Sequence, residues 1–199
     1  ETMVRLKDGR AINRPGLAGE FRDLTARTRV VEFNDVAALE AALADKTVAC
    51  VITEPVLTNS CMVLPEPGFH AALRDLTRKA GTLLLIDETH PISTGPGGYT
   101  KAFGLDPDLF VLGKPVAGGV PASVWGMSGA VADRYAAYNL AKEPGYSGMG
   151  TTLSANPLQF AAMKATLEEV MTEENYAHME RLAQRLVDGL SAAIAKNNL

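Results

Sequence analysis

The chain has 199 residues, 47% of them hydrophobic and 21% charged, with 19 Lys and Arg against 23 Asp and Glu. A chain of this length buries roughly 70% of the surface it exposes when unfolded, which excludes a peptide hormone, a low-complexity tail or a disulfide-stapled mini-protein. A net charge of −4 offers no broad electrostatic footprint for nucleic acid or an anionic membrane, so neither is expected as a partner.

In chain order, residues 1–26 carry scattered Gly, Pro and charge without sustained periodicity and read as loop or extended. Arg29–Phe33 is a short β-branched run. Asn34 is the expected cap of a helix with Val36, Leu39 and Leu43 on one face, ending near Lys46. Val48–Thr53 is a continuous apolar run, predicting a strand buried on both faces. Phe69–Lys79 aligns Phe69, Leu73 and Leu76 on one helical face, and Gly81 stops it. Thr82–Ile86, Leu109–Leu112 and Ser123–Met127 read as further strands, the first ending on Asp87 and the second on Gly113-Lys114. From Leu158 to Met171, and again from Tyr176 to Lys196, the pattern is helical, with a polar break between. Strands alternating with helices predict an α/β fold, a three-layer αβα arrangement around a mostly parallel sheet.

The longest apolar runs, such as Leu83–Ile86, fall far short of the ~20 residues that cross a bilayer, so no membrane association is expected. The charged first ten residues resemble neither a signal nor a transit peptide. Cys50 and Cys61 lack CxxC spacing and read as free, structural thiols of a cytoplasmic protein. The absence of an initiator Met predicts a processed chain or an excerpt of a longer one.

In open α/β sheets ligands sit outside the carboxyl ends of the strands. Here those ends carry Glu54-Pro55, then Asp87-Glu88-Thr89-His90, then Gly113-Lys114 with Gly118-Gly119 following. A Lys amine with a lowered pKa is a nucleophile toward an aldehyde, and a carboxylate keeps a nearby pyridine nitrogen protonated. Both demands are those of pyridoxal 5′-phosphate chemistry.

Three stretches carry a specific resemblance: Leu84-Leu85-Ile86-Asp87-Glu88-Thr89-His90, Leu112-Gly113-Lys114-Pro115-Val116-Ala117-Gly118-Gly119-Val120-Pro121, and Gly150-Thr151-Thr152-Leu153-Ser154-Ala155-Asn156-Pro157. In order and spacing they resemble the fold-type I, class III pyridoxal-phosphate aminotransferases, and among these most closely the glutamate-1-semialdehyde aminomutase branch. Glu54-Pro55-Val56-Leu57-Thr58-Asn59 is similar to that branch, where several ω-amino-acid transaminases carry Glu in place of Asn59.

The resemblance implies that Lys114 is the Schiff-base lysine and the base that moves the substrate Cα proton. It implies that Asp87 holds the pyridinium, Thr89 lies against the ring face and His90 sits near the ring hydroxyl. Thr89 and His90 depart from the family's commonest residues and make the pocket more polar. Thr152 resembles the threonine that reaches a partner subunit's cofactor phosphate, implying a homodimer with a shared active site. The implied substrates are a small-molecule amine and keto acid, and the implied reaction is transamination or its intramolecular form. Residues 1–171 would be part of the large cofactor-binding domain and 172–199 a helix leading into a C-terminal small domain. Glu54 reads as structural, and Trp125, Met127 and Tyr135 as core. A metal-dependent hydrolase using Asp87, Glu88 and His90, a nucleotide-binding module built on Gly95–Gly98 or Gly118-Gly119, and a non-catalytic relative are the competing readings.

Overall fold

The structure, a computed structural model, describes residues 4–8, 10–13, 27–140, 149 and 154–198. The chain divides into two compact units, Glu1–Val51 with Val56–Leu84, and Ile52–Pro55 with Leu85–Leu199.

In the first unit, β1 (Val4–Lys7) and β2 (Arg10–Asn13) pair antiparallel, with Val4 opposite Asn13 and Lys7 opposite Arg10. This hairpin falls within residues 1–26, read from the sequence as loop or extended. The register leaves a two-residue connection, and Asp8 takes the left-handed conformation (φ 51°) that such a tight turn requires. Arg29–Phe33 forms no strand.

Helix α1 (Val36–Leu43) buries Leu39 and Leu43 as its periodicity requires, but Asp35 and not Asn34 caps it, accepting from Ala38 N at 2.8 Å. Asn34 is displaced from the cap by a different task. At φ 71° its amide donates to Leu64 O and accepts from Glu66 N, both at 2.9 Å, and so bridges two stretches of chain.

Helix α2 (Phe69–Ala80) buries Phe69, Leu73 and Thr77, and Phe69 packs on Phe33 with ring centroids 4.6 Å apart. Gly81 ends the helix at φ 72°, its N–H returned to Arg78 and Thr77 carbonyls. Thr77 is fully buried and its hydroxyl is satisfied by Leu73 O at 2.9 Å.

The division into units passes through β3 (Cys50–Thr53) and β4 (Leu83–Asp87), which join β5 (Leu109–Leu112) and β6 (Val124–Met127) in one sheet of order β3-β4-β5-β6. β4 and β5 run parallel with Asp87 opposite Val111, while β5 and β6 are antiparallel. β3 departs from the expectation of two buried faces, because Ile52 is 68% exposed. Cys50 and Cys61 are in no disulfide but are exposed, not built into a core. Trp125, expected in the core, is 49% exposed on β6, whereas Met127 and Tyr135 are half-buried.

In the second unit Ile92, Leu112, Val116 and Ala117 form a buried cluster, with Ala162, Met163 and Met171 packed against it. A five-residue helix α3 (Gly98–Ala102) and the helix α4 (Gly129–Leu140), neither anticipated, flank β5 and β6 in sequence. Helix α5 (Pro157–Ala165) is capped by Asn156, which accepts from Leu158 N at 2.9 Å, and runs into a π-helical turn over Thr166–Val170. Helix α6 (Glu173–Asn197) starts at the expected polar break, where Thr172 caps it. Among the described residues no helix is long and apolar enough to cross a membrane.

Candidate active site

The ends of β4 and β5 build the site. In a parallel pair, neighbouring strands lie about 4.8 Å apart and deliver their C-termini to the same side. Lys114 follows the register partner of Asp87 by three residues, which places its backbone no more than about 16 Å from that of Asp87. Both residues belong to the second unit.

Asp87 ends β4, half-buried, and its Oδ1 accepts from the N–H of Thr89 at 2.9 Å. That bond folds the chain back on the carboxylate and fixes its orientation. Lys114 opens a 3-10 turn (Lys114–Ala117) and is held at φ 46°, a left-handed conformation that is uncommon for a residue with a side chain. The turn beneath it is anchored by Val116 and Ala117, 1% and 2% exposed. Its own side chain is exposed, and among the described residues its amine has no ion-pair partner.

Thr89 lies against Gly113, the residue before Lys114: a Cβ on Gly113 would stand 3.7 Å from both Thr89 Cγ2 and Oγ1. Asp87, Thr89 and the Lys114 turn are thereby brought together. His90 begins the 3-10 turn Pro91–Thr94, half-buried, and its carbonyl accepts from Ser93 N and Oγ at 3.1 and 3.0 Å. Thr152 lies outside the described residues.

Sequence reasoning overlooked two supports of this arrangement. Thr166, on the π turn, is buried, bonds Ala162 O at 2.9 Å, and stands 3.0 Å from where a Cβ on Gly118 would be. Glu88 is fully buried and its carboxylate accepts from Tyr99 N (3.1 Å), Thr100 N (2.5 Å) and Thr100 Oγ1 (2.5 Å). A signal for Glu88 exists in the sequence: the alternation that buries Leu84 and Ile86 continues inward to position 88.

The same alternation takes Glu88 out of the metal-hydrolase reading. Glu88 is spent on α3, and the described residues hold no cluster of three or more His, Cys, Asp and Glu side chains suited to a metal ion. An oriented carboxylate and an exposed lysine, at and just past the ends of adjacent parallel strands, suit the ring nitrogen and the aldehyde of pyridoxal phosphate. The residues fit that group.

A family model described as "Aminotransferase class-III" matches residues 15–199. The chain belongs to the class-III aminotransferase family. A glutamate-1-semialdehyde 2,1-aminomutase from Anaeromyxobacter sp. (strain Fw109-5) is 38% identical over 190 residues, covering 92% of this chain and 42% of that relative. The crystal structure of a glutamate-1-semialdehyde-aminomutase from Pseudomonas aeruginosa PAO1 superposes with a TM-score of 0.90 at 50% identity, over 98% of this chain and 44% of that one. A Lys-to-Ala variant described from the same organism, in complex with PMP, gives a TM-score of 0.87 at 49% identity, over the same shares of the two chains. The expected α/β, fold-type I class is borne out by these likenesses. The chain spans about 42% of the length of the curated relatives it matches.

Proposed function

We propose that this class-III aminotransferase chain forms part of a pyridoxal-phosphate enzyme that moves an amino group within one carbon skeleton, in the manner of a glutamate-1-semialdehyde aminomutase. The observation that carries it is that Asp87 ends β4 and Lys114 follows the end of its parallel neighbour β5. Identities of 38% and 50% to proteins named for that activity, and Asn59 after Glu54-Pro55-Val56, favour the intramolecular reaction over transfer to a second keto acid.

When bound, the cofactor supplies an electron sink that makes a substrate Cα proton labile. Lys114 would hold the cofactor through its amine and, as a free amine, would take up and return the substrate Cα proton. An exposed lysine on a tightly anchored turn suits this double duty, since the stem swings while the backbone stays fixed. Asp87, oriented by the Thr89 N–H, would keep the ring nitrogen protonated by opposite charge. Thr89 would lie against the ring and His90 would stand near its hydroxyl, a pocket that adds hydroxyl and imidazole to apolar surface.

Thr152 completes a partner subunit's phosphate site in a cytoplasmic homodimer. Residues 1–171 belong to the large domain and 172–199 lead into a C-terminal domain. In support, Met179, Leu182, Leu186 and Leu190 of α6 lie at helical spacing and are about half exposed.

The test uses the full-length protein. It is expected to be yellow, to bleach with borohydride, and to retain the reduced cofactor on a peptide containing Lys114. Lys114→Ala is expected to lose that attachment, and Asp87→Asn to lower kcat at least about 100-fold, the size of losing one electrostatic contact to the reacting group. A colourless protein, or cofactor fixed on another lysine, would overturn the reading. Consumption of a second keto acid as an obligatory substrate would favour the transaminase reaction instead.

A further inference from the structure

Glu88 is a buried ionisable side chain that the chemistry above does not use. Each of its four polar atoms is engaged. Its N–H donates to Val111 O at 2.9 Å, extending the β4–β5 ladder one residue past Asp87, and its carbonyl accepts from Ile92 N at 2.9 Å. Oε1 takes the N–H and hydroxyl of Thr100, and Oε2 the N–H of Tyr99. A carboxylate with no exposed surface is tolerated only when it is bonded this fully.

The fit is close as well as complete. A Cβ on Gly98 would stand 2.4 Å from Glu88 Oε2, so the start of α3 is seated directly on the carboxylate. On an extended segment neighbouring side chains point opposite ways. Asp87 and Thr89 therefore share the face that holds the Lys114 turn, as the Thr89 N–H bond to Asp87 and the Thr89 contact with Gly113 attest, while Glu88 anchors the segment from behind.

We infer that Glu88 is a positioning residue for the amino-transfer reaction: by tying the end of β4 to the first turn of α3, it fixes the backbone from which Asp87 and Thr89 reach the cofactor. This rests on the functional reading above. A segment free to shift at position 88 would let the Thr89 N–H leave Asp87 Oδ1 and loosen the carboxylate from the ring nitrogen. Gln at position 88 matches Glu in size but turns one acceptor into a donor facing an N–H, so it breaks the clamp with little change in volume.

The experiment compares full-length wild type with Glu88→Gln and with the milder Thr100→Val, which removes one of the three bonds. In cofactor-free protein, amide exchange at Thr89 is expected to speed up at least tenfold in Glu88→Gln and less in Thr100→Val, with β5 amides unchanged. In holoenzyme, kcat is expected to fall about tenfold or more with substrate KM little altered. The pH at which the bound-cofactor spectrum changes is expected to move in the direction seen for Asp87→Asn. Should Glu88→Gln not fold, the same three measurements on Thr100→Val decide. A variant with lowered Tm but wild-type Thr89 exchange, spectrum and kcat per loaded site would mean that Glu88 only stabilises the fold, and would overturn the inference while leaving the functional reading intact. A wild-type protein carrying no cofactor on Lys114 would overturn both.

Discussion

Replacing Gly98 by Ala probes how tightly α3 is seated. Two costs add at this position. The backbone is held at φ 67°, where a residue with a Cβ loses roughly 1–2 kcal/mol. The new Cβ would also stand 2.4 Å from Glu88 Oε2 and 2.8 Å from its Cδ, and Glu88 cannot retreat without giving up the Tyr99 N–H bond at 3.1 Å. A hydrogen bond to a charged acceptor contributes about 1.5–3 kcal/mol. The expected loss is about 2.5–5 kcal/mol. Gly81→Ala supplies the reference: φ is 72°, nothing lies within 4 Å of the added carbon, and only the backbone cost of about 1–2 kcal/mol applies. Urea unfolding of the two full-length variants, followed by circular dichroism and extrapolated to water, measures the difference. If Gly98→Ala is no more damaging than Gly81→Ala, the carboxylate yields freely and the clamp described here does not exist.

Ile86 is 1% exposed on β4, and Ile86→Ala is expected to cost about 2–5 kcal/mol in the same assay, the range for emptying a fully packed aliphatic site. The Asp45 carboxyl is held well below the usual carboxylate range, first by hydrogen bonding from Arg29 and then by the Thr47 N–H and hydroxyl. A depressed folded-state pKa stabilises fully above the unfolded value of about 3.9 and is lost as pH falls toward the folded value. Stability measured from pH 5 downward should therefore fall less steeply in Asp45→Asn than in wild type. The gap should be small and shrink further in 1 M salt, because both partners are about half exposed.

The strands of the site were legible because their signals are local. Leu109–Leu112 is a compact apolar run and is β5 as expected, and Leu83–Asp87 ends on the anticipated carboxylate. Gly81 stopped α2 where its missing Cβ permits φ 72°. Asn34 misled because it and Asp35 are both good caps, and the choice between them is made by Leu64 and Glu66, some 30 residues away. The hairpin was legible but overlooked, for Asp8-Gly9 between Val4–Lys7 and Arg10–Asn13 is a strong two-residue turn signal. Ile52 and Trp125 illustrate a deeper limit: apolar composition says that a residue can be buried, and the cover must come from elsewhere in the fold.

The run Asp87-Glu88-Thr89 shows how one local rule divides labour at a strand end. Read as composition, two adjacent carboxylates and a nearby histidine suggest a metal. Read with the period of an extended chain, they separate. Leu84 and Ile86 are buried, so position 88 faces inward and must satisfy its charge there, which the start of α3 does with three donors. Positions 87 and 89 face the other way and are left for chemistry, joined by the one bond from Thr89 N to Asp87 Oδ1. A catalytic carboxylate needs a fixed direction more than it needs neighbours of its own sign. A buried twin one residue away supplies rigidity without crowding the face proposed for the cofactor.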